Sequence, residues 1–435
     1  MMAITPSKFL SLLVLAGTFA HPASARTLKV GPGKTYAKPS LAAAAAQKGD
    51  TVEFDPVVFE SDACAWGDDD LVLRAGPAGS KARAHLKSNG VHSGGKAIWV
   101  IDGKNITIEN IEFSGAKVPD ENGAGIRQQA PGVTIRNCYF HDNENGILGE
   151  GSDMVIEYTE FAHNGLGDRG YTHNIYVSEG TSFTLRHCYS HHAVIGHNVK
   201  SRAAKNFILY NRIMDEAAGT SSYDIDLPDG GQAVILGNLI QQGPETDNST
   251  IVAYGAEGLK HSVNELYVVH NTVVNDRSAG VFFSISGSPT ISKFHNNLFA
   301  GSGTPMSGTV KDTAGNVVTQ SPGFLDRAGF DYHITAASPA VDKAGDPGQG
   351  AGMPLAPAWQ YVHPLGRQAR TAVGKADAGA FEFGLSNGIR SPGTRRGSAA
   401  SHRPGLAMGP GMFLIPLPKD GLGYDAAGAR LQPED

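Results

Sequence analysis

VILGNLIQ (residues 234–241) is an apolar segment with a single asparagine, Asn238, near its middle. Similar segments recur along the chain at intervals of 21 to 33 residues. The aligned polar position, termed the predicted Asn column, reads Asn110, Asn137, Tyr158, His187, Asn211, Asn238, Asn271 and Asn296. Buried asparagines stacked about 4.8 Å apart can hydrogen-bond to one another and to turn backbone, so none is left unsatisfied. The repeat therefore predicts a solenoid of β coils, each burying its apolar face on the next.

The coil length and the residue types favour one solenoid over the others. A leucine-rich repeat would show periodic leucines and helices, and a propeller needs longer blades of about 40 residues. We therefore predict an all-β fold, a right-handed parallel β-helix, from roughly residue 50 to 335 with the Asn column buried.

The segments before and after the repeat predict how the solenoid ends. SLAAAAAQKGDTVEF (40–54) has the pattern of a short amphipathic helix, with Ser40 as N-cap and Gly49 as terminator, that would cover the open end. Together with VGPGKTY (30–36), it resembles the entry of the pectate-lyase-like β-helix superfamily. ASPAVDKAG (337–345) and GRQARTAVGKADAGAFEF (366–383) resemble the closing segment of many such proteins. The resemblance implies a β-helix domain with end caps over residues 26–383.

The first residues are typical of an export signal. Lys8 precedes the apolar run FLSLLVLAGTFA (9–20), and Ala23-Ser24-Ala25 is a small-residue cleavage site before Arg26. We predict a signal peptide over 1–25, a periplasmic or secreted mature chain, and no stable membrane insertion, since the run is too short to span a bilayer. Residues 384–435 are rich in Gly, Pro, Ala, Ser and Arg, a composition that predicts a disordered tail.

Charge and cysteine content exclude several classes of function. The net charge of −6 leaves no basic surface for phosphates, so nucleic acid is not an expected partner. Three cysteines, Cys64, Cys138 and Cys188, show no metal-binding spacing, and at least one must be unpaired. Cys138 and Cys188 would lie two coils apart, about 9–10 Å, too far for a disulfide. His187 is assigned to the interior column and His191 and His192 to a turn, which disfavours a zinc site with His197.

A second strand follows each Asn-column segment, and three consecutive coils carry polar residues there. The segments are HNIYVS (173–178), HNVKSR (197–202) and YDIDLPD (223–229). Side chains alternate along a strand, so the residues flanking the central Ile175, Val199 and Ile225 should point outward. The predicted polar patch contains His173, Asn174, Tyr176, His197, Asn198, Lys200, Tyr223, Asp224 and Asp226. Leu148 and Val252 are expected to bound it, and Arg127 is expected two coils before Tyr176 on the same face.

These residue types suit abstraction of a weakly acidic carbon proton. A lysine flanked by a tyrosine and a histidine can act as a base when its pKa falls toward neutrality. Cations can neutralise a substrate carboxylate and the negative charge that develops beside it. The sequence thus predicts a lyase or C5-epimerase acting on an acidic, uronate-containing polysaccharide. Its predicted catalytic residues are Lys200, Tyr176, His173, His197, Arg202 and Asp226, and its predicted substrate-binding residues are Arg127, Asn174, Asn198, Tyr223 and Asp224.

A resemblance points to the same chemistry. V-K-S-R-A-A-K-N (199–206) is similar to the lysine-bearing layer of the chondroitinase B and alginate lyase β-helix family, which implies that Lys200 is the base. Where that family carries an Arg-His-Gly segment, this chain has Asp226-Leu227-Pro228-Asp229-Gly230. The Asp-Pro-His-Asp motif of alginate C5-epimerases is absent. A divalent cation such as calcium could assist, and no organic cofactor is expected.

Two other functions remain open at this point. Asp224 and Asp226 would lie about 6–7 Å apart on one strand face, near the lower limit for an inverting glycoside hydrolase. A non-catalytic carbohydrate-binding solenoid would present aromatic side chains on the patch, and Tyr176 and Tyr223 supply two. The sugar, the linkage, and endo or exo action are not encoded in any motif of this sequence.

Overall fold

The computed structural model describes residues 25–150, 152–166 and 172–385. The predicted signal peptide, apart from Ala25, and the predicted tail beyond Leu385 lie outside these residues. Within the described ranges the chain forms one α-helix, Pro39–Ala43, and three long parallel sheets. Each complete coil contributes one strand to sheet 1, then one to sheet 2, then one to sheet 3. No helix in these ranges is long and apolar enough to cross a bilayer.

The three sheets run side by side along the solenoid. Sheet 1 consists of Thr27–Val30, Thr51–Phe54, Val72–Ala75, Thr107–Glu109, Thr134–Arg136, Met154–Glu157, Ser182–Arg186, Lys205–Leu209, Gln232–Leu236, Glu265–Val269, Ile291–His295 and Asp312–Ala314. Sheet 2 consists of Val58–Glu60, Ala84–Lys87, Ile111–Ser114, Tyr139–His141, Glu160–Ala162, Tyr189–His191, Arg212–Met214, Leu239–Gln242, Thr272–Asn275, Leu298–Gly301 and Val317–Thr319. Sheet 3 consists of Cys64–Trp66, Ala97–Ile101, Ala124–Gln128, Asn145–Gly149, Ile175–Val177, Val199–Ser201, Ile225–Leu227, Thr250–Tyr254, Val281–Ile285 and Thr304–Gly308.

Like residues stack on like residues in the core. In sheet 1, Ile135 pairs with Ile108 on one side and with Ile156 on the other. In sheet 2, the rings of Phe113 and Phe140 are parallel with centroids 4.8 Å apart. Each coil thus buries its apolar side chains on the coil before and the coil after, and the predicted parallel β-helix is confirmed.

The predicted Asn column is wrong in its register. Each repeated segment, such as VILGNLIQ (234–241), forms two strands joined by a corner, whereas the sequence predicted a single strand. Asn110, Asn137, Tyr158, His187 and Asn296 occupy the corner itself, where the backbone has φ between 48° and 63°. Asn211, Asn238 and Asn271 lie one residue later, inside the solenoid. The alignment by residue type slipped because an asparagine suits both positions: it tolerates a left-handed backbone and can satisfy a buried one.

The true interior ladder begins at Asn211. Each amide donates to the side-chain oxygen of the next asparagine along Asn211, Asn238, Asn271, Asn297 and Asn316, with N···O distances of 2.9–3.0 Å. Each side-chain oxygen also accepts the backbone N–H of the coil before it. In the earlier coils Cys188, Thr159 and Cys138 take the same position, and Cys188 N–H donates to Asn211 at 2.9 Å. All three cysteines are free and buried, as the coil spacing predicted for Cys138 and Cys188.

The segments before and after the coils differ in detail from the sequence prediction. The helix begins with Lys38 as N-cap, and Ser40 lies inside it, where its N–H and hydroxyl donate to the Asp62 carboxylate. Covering of the open end by this helix stays a prediction. Residues 324–383 form three short antiparallel pairs, Phe324–Asp326 with Asp331–Ile334, Gln349–Gly350 with Met353–Pro354, and Trp359–Val362 with Gly366–Ala369. Apolar side chains of this segment pack against sheets 1 and 2: Leu355 shares a buried cluster with Tyr267 of sheet 1, and Phe381 shares one with Tyr189 of sheet 2.

The candidate active site

Three neighbouring strands of sheet 3 bring together the central residues of the predicted patch. Tyr176 pairs with Lys200, and Lys200 pairs with Asp226, so the three side chains form one row across adjacent coils. They alternate with Ile175, Val199 and Ile225, which are fully buried. The strand alternation predicted from sequence is therefore correct for this row.

Asn174, Asn198 and Asp224 do not belong to the exposed patch, and the prediction that their side chains point outward is wrong. They are buried and form a second amide ladder: Asn174 Nδ2 donates to Asn198 Oδ1 at 3.0 Å, and Asn198 Nδ2 donates to Asp224 Oδ1 at 2.9 Å. Asn164 donates to Asn174 in the same way at 2.8 Å. The strands start one residue after these positions, at Ile175, Val199 and Ile225. Alternation applies only within a strand, so the corner turns these three side chains inward.

His173 and His197 are buried, and each ring accepts a backbone hydrogen bond from the corner of the next coil. The backbone N–H of His197 donates to His173 Nδ1 at 3.0 Å, and that of Tyr223 donates to His197 Nδ1 at 3.3 Å. Burial lowers the pKa of His197 to about 3 and that of His173 well below its usual value. Both rings are therefore neutral with the hydrogen on Nε2. A side chain at Gly196 would collide with the Thr172 carbonyl, so glycine permits this close approach.

Lys200 and Asp226 form a largely buried ion pair. Lys200 Nζ lies 3.3 Å from Asp226 Oδ2, with side-chain exposures of 14% and 5%. His197 Nε2 lies 3.4 Å from the same oxygen. Burial raises the pKa of Asp226, and Lys200 opposes that rise. Asp226 Oδ1 is buried and has no hydrogen-bond partner among the described residues.

Arg202 links the row to acidic residues from the following coils. Its Nε donates to Tyr176 Oη at 3.0 Å, and its other nitrogens donate to Asp229 at 2.7 Å and to both oxygens of Glu257 at 2.7 and 2.8 Å. Lys260 Nζ also lies 2.7 Å from Asp229. Lys200 Nζ lies 5.6 Å from the centre of the Tyr176 ring. The phenol of Tyr176 is therefore bordered by two cations.

Two further predicted binding residues lie near or outside this group. Tyr223 is half-buried, with its ring edge-on to His197 at 5.0 Å. Arg127 lies two strands before Tyr176, beyond Leu148, and forms an ion pair with Glu150. Leu148 bounds the row as predicted. The other predicted boundary is wrong: Val252 pairs with Ile225, and Ala253 is the residue next to Asp226.

The sequence did not indicate the roles of Asp229, Glu257 and Lys260. In the sequence, Asp229 stands out only as a departure from a family pattern. Glu257 and Lys260 belong to the turn after the strand Thr250–Tyr254, and the alternation of side chains along a strand does not extend into a turn. The charged letters in GAEGLK (255–260) were the available signal. Each carboxylate on this face, Asp226, Asp229 and Glu257, faces a lysine or arginine, so this arrangement does not fit a calcium site.

The four histidines considered as a zinc site do not come together: His191 and His192 are neighbours, with their Nδ1 atoms 2.7 Å apart, whereas His187 and His197 lie elsewhere. His187 is at a corner, stacked between Tyr158 at 5.1 Å and Tyr210 at 5.6 Å. His191 ends the strand Tyr189–His191 of sheet 2, which corrects its assignment to a turn, and His197 precedes a strand of sheet 3. The expectation that these residues do not form one metal site agrees with this placement.

Comparison with known proteins agrees with the described architecture. The family model "Right handed beta helix region" matches residues 78–220, which include the strands of Tyr176 and Lys200. The chain is a right-handed parallel β-helix. The solved structure of pectate lyase Pel9A superposes on this β-helix with a TM-score of 0.55 at 12% identity, covering 83% of this chain and 97% of that one. No curated protein sequence is significantly similar.

Two further solved structures are similar at lower TM-scores. An alginate lyase from Paenibacillus sp. str. FPU-7 has a TM-score of 0.43 at 15% identity, covering 68% of this chain and 99% of that one. The A-module of mannuronan C-5 epimerase AlgE6 from Azotobacter vinelandii has a TM-score of 0.30 at 14% identity, covering 64% and 92%. At these identities the likeness concerns the fold, and the chemistry must be argued from the side chains.

Proposed function

We propose that this protein is an exported enzyme that removes the C5 proton of a uronic acid within an acidic polysaccharide, as a lyase or a C5-epimerase. The observation that carries the proposal is the Tyr176 phenol, which accepts a hydrogen bond from Arg202 at 3.0 Å and has Lys200 Nζ 5.6 Å from its ring centre. A proton-transferring group between two cations suits a reaction that builds negative charge next to a carboxylate.

Tyr176 is the group best placed to exchange a proton. After it loses its own proton, the phenolate charge would lie against the Arg202 guanidinium. The phenolate then takes the C5 proton, and the electron pair moves into the uronate carboxyl group. In a lyase this pair next expels the oxygen at C4, and that oxygen takes the proton that Tyr176 has just accepted. In an epimerase C5 instead receives a proton on the opposite face.

Lys200 is better suited to neutralise charge than to act as the base. The sequence pattern assigned the base to Lys200, which requires a neutral amine. Asp226 lies 3.3 Å from Lys200 Nζ and favours the charged ammonium. We therefore assign Lys200 to the substrate carboxylate and to the charge that develops on it. Asp226 holds Lys200 in place.

The hydrolase alternative required Asp224 and Asp226 to act together on a glycosidic bond, and the burial of Asp224 argues against it. Asp224 is 1% exposed and bound within the amide ladder, so it cannot reach a glycosidic bond together with Asp226. The other carboxylates of this face, Asp229 and Glu257, are engaged by Arg202. Hydrolysis requires two free carboxyl groups that lie on either side of the glycosidic bond, and these residues do not supply such a pair.

Incubation with a panel of uronate polysaccharides in D2O tests the proposal. A lyase gives ultraviolet-absorbing unsaturated ends together with new reducing ends. An epimerase gives neither, but it incorporates deuterium at C5. Reducing ends without absorbance would establish hydrolysis and overturn the proposal. Binding without any of the three signals, across polymers of each common uronic acid, would establish a non-catalytic carbohydrate-binding protein.

A further inference from the structure

Two histidines and a glutamate lie together on the outward face of sheet 2, away from the row on sheet 3. His85 belongs to Ala84–Lys87, Glu112 to Ile111–Ser114, and His141 to Tyr139–His141, which are three successive strands. His85 is directly paired with Glu112 in register, and His141 is paired with Ser114, two residues further along. The cluster joins three consecutive coils.

One nitrogen of each histidine faces the same glutamate oxygen. His141 Nε2 lies 3.1 Å and His85 Nδ1 3.4 Å from Glu112 Oε1. A ligand atom from each of the three residues lies within 4.8 Å of the other two. In a tetrahedral zinc site with metal–ligand distances of about 2.0–2.2 Å, ligand atoms are separated by roughly 3.3–3.5 Å. Small side-chain rotations would bring these three atoms to that spacing.

The remaining nitrogen of each histidine is already held by an oxygen. His85 Nε2 lies 2.7 Å from Ser114 Oγ, and His141 Nδ1 lies 2.6 Å from Asp142 Oδ2. Metal-binding histidines are usually oriented in this way, by an oxygen bound to the nitrogen that does not face the ion. The side chains of His85, Glu112 and His141 are 23%, 26% and 17% exposed, so solvent or a ligand can reach the centre of the cluster.

We propose that His85, Glu112 and His141 bind a divalent zinc ion with one coordination position open to solvent. Two imidazoles and one carboxylate form a donor set that zinc accepts in sites with an exchangeable fourth ligand. Calcium is the contrasting ion, since it takes oxygen ligands almost exclusively and only Glu112 supplies one here. A bound zinc ion would tie three coils together and raise the thermal stability of the β-helix.

The same face supplies a matched control two coils further along the solenoid. Glu160 and His191 are placed relative to each other as Glu112 and His141 are, with His191 Nε2 3.4 Å from Glu160 Oε1. Tyr139 occupies the position equivalent to His85 there. The second histidine near this pair is His192, whose Nδ1 lies 2.7 Å from His191 Nδ1 rather than beside Glu160 Oε1, so the arrangement differs from that of His85, Glu112 and His141. His191→Ala therefore serves as the control.

Calorimetric titration of the full chain, produced without a polyhistidine tag, tests the proposal with zinc chloride and with calcium chloride. We expect about one zinc ion per chain and no calcium at this site. His85→Ala, Glu112→Gln and His141→Ala should each abolish zinc binding, while His191→Ala keeps it. Ser114→Ala should weaken binding by about tenfold or more, the usual effect of losing an orienting partner.

Circular dichroism and thermal melting in EDTA establish that each variant is folded before its titration is interpreted. Zinc should raise the melting temperature of the wild-type chain and of His191→Ala, and leave that of His141→Ala unchanged. Absence of zinc binding to the wild-type chain would overturn the proposal. So would binding that survives the three ligand substitutions or that is lost on His191→Ala.

Discussion

Arg202 organises the proposed site at the scale of single residues. Its guanidinium joins the Tyr176 phenol, Asp229 and Glu257, which belong to three different coils. Glu257 raises the pKa of Arg202 further, so the cation is permanent. A fixed positive charge against the phenol oxygen is the feature that distinguishes Tyr176 from an ordinary outward tyrosine.

Substitutions at Tyr176 and Lys200 test the two assigned roles. Tyr176→Phe and Lys200→Ala should each lower turnover by about 10²–10⁴-fold, because each removes a group that acts on the transition state. Lys200→Arg should retain most of the activity, since arginine keeps the charge but cannot serve as a base at neutral pH. Initial rates on the polysaccharide identified by the panel provide the measurement, and exposed Lys205→Ala is the control. Equal losses in Lys200→Ala and Lys200→Arg would return the role of base to Lys200.

Asp224 is a buried acid whose ionised form destabilises the fold. Burial, and next the charge of Asp215, raise the pKa of Asp224 well above its usual value, and Asp224 Oδ2 has no partner among the described residues. Burial also raises the pKa of Asp215 to about 6. The unfolded chain releases the Asp224 proton near pH 4 while the folded chain keeps it. Rising pH therefore favours the unfolded state through this group.

Asp224→Asn should stabilise the protein at neutral and higher pH. The amide has the same shape, carries no charge and can continue the Asn174–Asn198 ladder. We expect a gain on the order of 2 kcal/mol in the free energy of unfolding at pH 8, shrinking toward pH 4, where the unfolded chain also begins to bind the Asp224 proton. Urea unfolding of both chains at the two pH values measures it, with exposed Asp247→Asn as control. A gain that is the same at both pH values would contradict the assignment.

At the scale of elements, two adjacent positions of each coil require different residue types. One belongs to the interior asparagine ladder, and the other to the corner column, which is the series of left-handed corner residues that includes Asn137 and Gly237. Asn238 is fully buried, and its side chain makes hydrogen bonds with Asn211, Asn271 and the Ile208 carbonyl. Asn137 is half-buried at a corner with φ of 51°. The first position needs an amide, and the second needs tolerance of a left-handed backbone.

Paired substitutions separate these requirements. Asn238→Ala should lower the free energy of unfolding by about 3 kcal/mol or more, because it leaves several buried polar groups without partners. Asn137→Gly should lower it by only about 1 kcal/mol, since glycine adopts this backbone without strain, as at Gly237, and the main loss is the hydrogen bond from Asn137 Nδ2 to Asn110 Oδ1. Urea unfolding measures both. Losses of similar size at the two positions would support the single Asn column that the sequence alignment suggested.

At the scale of the whole molecule, residues 324–383 pack on sheets 1 and 2, while the proposed catalytic row lies on sheet 3. A long polymer binds more readily along a row of side chains spread over several coils than in a closed pocket. The row Tyr176, Lys200 and Asp226, extended by Arg202, has this form.

Such a substrate lies outside the cell, and export is part of the proposal. The order of Lys8, the apolar run 9–20 and the small residues before Arg26 predicts cleavage at that point. Amino-terminal sequencing of the protein recovered from the periplasm or medium of its native host should find Arg26 first. Recovery of the protein with Met1 intact would contradict export by this route.

The sequence alone determined the parallel β-helix and the row Tyr176, Lys200 and Asp226. Both follow from local periodicity: apolar residues repeat once per coil, and side chains alternate within a strand. Such patterns are written directly in the order of residues, and any chain that obeys them must stack its coils in nearly the same way.

Only the tertiary structure decided where the corners lie, and this decided the rest of the site. Asn174, Asn198 and Asp224 belong to a buried ladder rather than to the patch because each strand begins two residues later than the predicted segment. Arg202 gained its partners Asp229 and Glu257, and His85 met His141, through contacts between coils more than 20 residues apart. Corner conformations and contacts between coils depend on packing against neighbouring coils, and a single segment carries no periodic signal for them.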